Sequence, residues 1–212
     1  MTTARAALES LLRERKLHTA PTRSPMIDQA SGGGLRRGHL SEIVGPRSSG
    51  RASLLCGALA AATARGEVVA LIDTHDRFDP TSAAHAGVDL SRLLWIRERG
   101  DAGRALKAMN LVLQAGGFSL VALDLADVPA MTIRQFPYTT WMRLSRVIEG
   151  SQTVAVLLGA DRIARSPGGV TLALDAGAGV PGKPRGAWAG ECDRARFLRA
   201  LDIHPRVVGA RP

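Results

Sequence analysis

The chain is predicted to fold as an α/β protein with a mostly parallel sheet flanked by helices. Three observations predict this. From residue 40 onward, short apolar runs alternate with longer helical segments, the pattern of strands joined by crossover helices. The runs EVVALID (67–73), FSLVALD (118–124) and TVAVLLG (153–159) are nearly continuous in Val, Leu and Ala, as in strands buried on both faces. Gly45 and Gly50 stand between one such strand and a helix, in the spacing G-x-x-x-x-G. A chain of 212 residues, 45% hydrophobic and 22% charged, is long enough for one real core and has the balance of a globular protein.

Each element follows in order. Residues 4–16 have helical spacing, with Ala7, Leu8, Leu11 and Leu12 on one face. A helix that short needs something to pack on. Residues 18–25, HTAPTRSP, read as a linker, and 31–40 as a turn-rich stretch. LSEIVG is a strand, and 50–65 an Ala/Leu-rich helix carrying Cys56. EVVALID is a strand, PTSAAHAG a short helix opened by Pro80, and LLWIRE another strand. Residues 101–115 form a helix with Asp101 as its N-cap. FSLVALD, a helix over 138–150 and TVAVLLG follow, and GVTLALD (169–175) closes the regular part. The rest is rich in Gly and Pro and is expected to be an irregular basic tail. The organisation expected is an N-terminal helix and linker (1–30), a core (31–180) and a C-terminal partner-binding tail (181–212).

The net charge of +9 is uneven. Residues 1–39 hold seven Lys+Arg against three Asp+Glu, residues 40–180 fourteen against thirteen, and residues 181–212 seven against three. A near-neutral core with basic ends points to acidic partners for the ends, either nucleic acid or an acidic protein face. No apolar run reaches membrane-span length, and the charged N-terminus is not a secretory signal, so a cytoplasmic protein with no membrane contact is expected. Two cysteines, Cys56 and Cys192, make neither a disulfide framework nor a metal pattern. The five histidines lack metal-ligand spacing, and no metal site is expected.

A working phosphate loop reads G-x-x-x-x-G-K-(S/T). Its backbone N–H groups hold phosphate at a helix N-terminus, its lysine neutralises the β and γ phosphates, and its hydroxyl holds magnesium. Here Gly45, Ser48, Ser49 and Gly50 keep the loop, but Arg51 and Ala52 replace the last two positions. A guanidinium is larger and planar and does not enter a phosphate cradle as an ammonium does. Alanine cannot ligate a metal, and Ser53 lies one place out of register. Asp73 and Asp124 end strands, from where they could reach a metal through water.

Longer stretches carry a family resemblance. GGGLRRGHLSEIVGPRSSGRASL is similar to the opening of the RecA recombinase core, with its Gly-rich turn, Glu-Ile strand and G-P-x-S-S-G. LIDTHDRFDPTSAAHAGVDLSRLLW resembles the RecA run that follows, and FSLVALDLADVP its second nucleotide-binding strand. Order and spacing agree over roughly residues 31–160. The departures coincide with function. Besides Arg51 and Ala52, His75 stands where the resemblance places the glutamate that activates water. VLLGAD (156–161) lacks the Asn-Gln pair that senses the γ-phosphate. The resemblance therefore implies a RecA relative without ATP turnover. Within that family, TIRQFPYTTWMRLSRVIEGSQTVAVLL resembles the ImuA group, also described as SulA-like.

That group implies a non-catalytic adaptor in damage-induced, error-prone translesion DNA synthesis, with RecA and an ImuB-type inactive Y-family polymerase as partners. The degenerate nucleotide site comprises Gly45, Ser48, Ser49, Gly50, Arg51, Ser53 and Asp124. No catalytic residue and no cofactor are expected, although ATP binding without hydrolysis stays open. Arg134, Arg143 and Arg146, beside Trp141, are DNA-contact candidates, while helical spacing marks Trp141 itself as core. Leu8, Leu11 and Leu12 are candidates for docking on RecA or for self-association. Trp188, Arg194, Arg196, Phe197 and Arg199 are candidates for the ImuB-type partner. The alternatives are an ATP-dependent recombination mediator and, behind it, a SulA-type cell-division inhibitor.

Overall fold

The computed structural model describes residues 18–164, 168–174 and 205–208, together with the backbone of the strands at 185–189 and 197–202. The segment carrying Leu8, Leu11 and Leu12 lies outside the described residues, as do Arg194 and Arg196.

Strands β1 (Thr19–Ala20) and β2 (Leu35–Arg36) pair antiparallel around helix α1 (Pro25–Ala30). The linker expected over 18–25 is instead part of the body. Thr22 donates its backbone N–H and its hydroxyl to the Asp28 carboxylate at 2.9 and 2.8 Å. Ala20, Ile27 and Leu35 are buried in the main core. A Thr–Asp tie across six residues and three isolated apolar side chains have no hydrophobic period, so composition alone reads the stretch as loop.

The α/β alternation then proceeds as expected. β3 (Leu40–Val44) leads to α2 (Arg51–Ala64), β4 (Val69–Asp73), α3 (Pro80–His85) and β5 (Leu93–Arg97). α4 (Ala102–Ala115), β6 (Leu120–Asp124), α5 (Ala130–Gln135), α6 (Tyr138–Ile148), β7 (Val154–Gly159) and β8 (Thr171–Ala173) follow, α5 being a helix that the sequence does not predict. Asp101 caps α4 by accepting from Arg104 N–H at 3.0 Å, and Asp79 caps α3 by accepting from Thr81 and Ser82 N–H.

The tail is corrected. β9 (Arg185–Ala189) and β10 (Phe197–Asp202) form an antiparallel pair, and β11 (Arg206–Val208) joins the main sheet beside β8. Most of the Gly and Pro residues that suggested irregularity precede β9. Cross-strand pairing decided the conformation over short segments whose own periodicity is weak.

The central sheet has seven strands in the order β11-β8-β3-β7-β6-β4-β5. Only the β11–β8 pair is antiparallel. Alternate residues of β4 serve opposite faces: Val69 and Leu71 pack with α2, and Ala70 and Ile72 with α4 and α6. The second face buries Trp141, as its helical spacing predicts, edge-on to Phe136 at 6.1 Å. Parallel strands point their C-terminal ends to one edge, so β3, β4, β6 and β7 all deliver their last residues to the same side. Among the described residues no helix is long and apolar enough to cross a membrane.

Candidate functional site

The loop after β3 keeps the backbone shape that its glycines predict. Gly50 has φ 96° and is the N-cap of α2, a conformation costly for any residue with a Cβ. Ser48 is also left-handed, at φ 60°. A Cβ on Gly45 would lie 2.8 Å from Ser49 Oγ, so glycine there is a packing requirement. Ser49 Oγ is buried and has no hydrogen-bond partner among the described residues.

Arg51 departs from phosphate-loop chemistry. It is 9% exposed, and its Nη1 donates to the Gly159 carbonyl at 2.8 Å, at the end of β7. The same carbonyl accepts from Gly45 N–H at 3.2 Å. One oxygen thus ties the start of the loop, the start of α2 and the end of β7. The cation that a phosphate would need is spent on the backbone of its own fold.

The expected residues do converge. Ser48, Ser49, Gly50, Arg51, Ser53 and Asp124 line one cleft of about 380 Å³; Gly45 packs at its back. Asp127 also lines it and pairs with Arg77 at 3.6 Å. The sequence reading missed Asp127, although its place three residues past Asp124 is a usable signal. Burial pushes the Asp124 carboxyl up, and the nearby Asp73 and Asp127 charges push the same way; Ala126 N–H and Arg51 act against them. Asp73 is unavailable to a metal. It is buried and accepts from Arg77 N–H, Phe78 N–H and Trp95 Nε1 at 3.0, 2.8 and 3.3 Å. The residues present do not fit magnesium-nucleotide: position 52 has no hydroxyl, the cation is bonded elsewhere, Asp124 disfavours its charge, and Asp127 is paired with Arg77.

The RecA N-terminal domain family matches residues 6–135. The chain belongs to that family. It is 34% identical to Protein RecA of Picosynechococcus sp. over 111 residues, which are 52% of this chain and 32% of that protein. It is 38% identical to Protein RecA of Chlorobaculum tepidum over 104 residues, 49% of this chain and 30% of that protein. The chain thus spans about a third of the length of these curated relatives. The crystal structure of the RadB recombinase superposes with a TM-score of 0.57 at 16% identity, covering 73% of this chain and 83% of that one, a likeness of fold.

His75 is half-buried beside Gly100. Its neighbour Asp76 is held by a two-pronged bond from Arg97, at 2.7 and 2.6 Å, which lowers the Asp76 pKa. Arg97 itself lies over the Trp95 ring at 4.7 Å. These contacts fill the region after β4 with an ion pair and a stacked arginine.

The DNA-contact candidates separate. Arg134, on α5, lines a cavity of about 690 Å³ together with Tyr138 and Arg162. Arg146, on α6, lines a neighbouring cavity of about 220 Å³ that also includes Tyr138. Arg143 is exposed and lines neither. Arg162 and Tyr138 were missed by sequence reasoning; the arginine follows the end of β7, a position that a strand-end rule would have flagged. Trp188 falls on β9, and Phe197 and Arg199 on β10.

Proposed function

We propose that this RecA-like chain is a non-catalytic adaptor in DNA repair, acting in damage-induced translesion synthesis between RecA on DNA and an ImuB-type inactive polymerase. One observation carries the reading: the phosphate-loop cation is bonded to the Gly159 carbonyl, next to an alanine where a metal-ligating hydroxyl is required. A RecA fold whose loop is closed by its own side chain serves as a scaffold. Its RecA ancestry and basic ends favour RecA, DNA and an acidic protein face as partners.

The test is calorimetric titration of the full chain with magnesium-ATP, with hydrolysis followed in the same sample. The expected result is no turnover, with and without single-stranded DNA. Co-purification with RecA or an ImuB-type protein should be lost on deletion of residues 1–17 or of residues 181–204, the latter sparing β11 of the central sheet. ATP hydrolysis, or partner binding indifferent to both deletions, would reject the adaptor.

A second reading, an ATP-dependent recombination mediator, draws on the retained loop curvature and the unpartnered Ser49 Oγ. It requires DNA-stimulated hydrolysis that disappears on Gly50→Asp.

A further inference from the structure

Two cavities that share Tyr138 form one groove: the larger opens at the C-terminal strand ends, beside Leu125 and Ala160, and the smaller lies beside Gly38 and His39, just ahead of β3. Its floor is apolar. Leu125, Val128, Ile133 and Ile163 line the larger cavity, and Trp141 and Ala164 the smaller. Its lip is apolar as well: Tyr138 is 54% exposed and Met142 38%. Helix α5 buries none of its six residues, so it lies on the surface as a wall of the groove.

The lining carries three arginines and two carboxylates, Asp161 and Glu149, so it is basic by one charge. Arg134, Arg146 and Arg162 line the groove, and none forms an ion pair among the described residues. This holds although Asp161 adjoins Arg162 and Glu149 lies one turn from Arg146. Elsewhere six arginines, at 37, 65, 77, 92, 97 and 104, are paired with carboxylates. The groove also has a fixed floor. Glu42, buried in β3, accepts from Ile163 and Ala164 N–H, both at 2.7 Å, and so holds the segment after β7 in place.

We propose that this groove receives an acidic amphipathic helix from a partner protein. Two apolar side chains of the helix, three or four residues apart, would enter the two cavities on either side of Tyr138, and its acidic residues would meet Arg134, Arg146 and Arg162. The adaptable side chain of Met142 at the lip suits a peptide's varied side chains. Single-stranded nucleic acid needs successive aromatic platforms, and Tyr138 is the one exposed aromatic lining the groove. The proposal stands whether or not the phosphate loop takes nucleotide.

The test is selection from a phage-displayed library of sixteen-residue amphipathic peptides on the full chain, followed by fluorescence anisotropy with the enriched peptides. Enrichment should favour Asp and Glu around two apolar positions spaced by three or four. Binding should weaken about tenfold in Arg134→Glu/Arg162→Glu and in Tyr138→Ala, and fall with salt. Arg134→Gln/Arg162→Gln provides a milder charge change, and thermal melts check that every variant is folded. No enrichment, or peptides whose binding the folded variants leave unchanged, would overturn the proposal. So would a twenty-nucleotide oligo-dT that binds more tightly than any selected peptide and depends on the same arginines, which would make the groove a nucleic-acid site.

Discussion

The phosphate-loop cleft and the groove at α5 and α6 diverge from the same strand ends. Asp124 and Leu158 line the first; Leu125 and Ala160 line the second. In the cleft, Arg51 is buried and bonded to a backbone carbonyl. In the groove, Arg134 and Arg162 are exposed and carry no ion pair among the described residues. One residue type serves as an internal tie in one place and as available charge in the other. The difference lies in what each guanidinium meets: a strand-end carbonyl within reach, or solvent above an apolar floor. In this RecA-like fold, the arginine at the phosphate-loop cation position acts as a structural tie.

The strongest way to break the comparison is to damage both features together. Glu42 sits at 1% exposure on the strand that leads into the loop, and its carboxylate holds Ile163 and Ala164 N–H and Thr171 Oγ1. Glu42→Ala leaves these buried donors without a partner and should cost about 3 kcal/mol or more in urea denaturation. A loss under about 1 kcal/mol would mean that water replaces the carboxylate and that the segment is not fixed by it.

Next in size is Arg51→Met, which should cost about 2 kcal/mol, the scale of a charged hydrogen bond. The Gly159 carbonyl keeps its bond from Gly45 N–H, so it is not orphaned. Hydrogen exchange should quicken around Gly45 and Gly159, the two backbones that the Arg51 tie joins. Unchanged exchange would show that the tie is incidental.

Asp124 gives a smaller effect with a definite sign. Its carboxyl is raised by burial and by the neighbouring Asp73 and Asp127, so the native state keeps the proton to higher pH than the unfolded chain. Stability is therefore full below the ordinary carboxylate range and declines as pH rises through the native value. Asp124→Asn should raise the melting temperature at pH 7 and leave it unchanged at pH 3. A fall at pH 7 would mean that the ionised form has a partner and that the cleft holds a cation.

How much of this was legible in the sequence depends on the range of the interaction involved. The strand–helix order, the Asp101 cap and the buried Trp141 follow from local periods and spacings, and all are found. The loop's left-handed glycine follows from its motif. The direction of Arg51 does not, because its acceptor is 108 residues away. The same holds for Ser41 and Glu42, polar residues within a fully buried strand: their partners, Val170, Ile163 and Ala164, are more than 120 residues distant. Short strands such as β9, β10 and β11 are set by pairing, which no single segment encodes. Substitution at a motif position marks a departure from the family's pattern; it does not say what the new side chain does.

The smallest effect belongs to the groove. Arg134→Gln with Arg162→Gln removes two exposed charges that make no ion pair among the described residues, so folding stability should stay within about 0.5 kcal/mol of the parent. The contrast with Arg51→Met is the point of the measurement. If the two groove arginines were structural, their removal would cost as much as the loss of Arg51, and the division between bonded and available charge would fail. Equal melting temperatures for parent and double variant, beside a clear loss for Arg51→Met, would place the working charge of this RecA-like chain in the groove and the structural charge in the old phosphate loop.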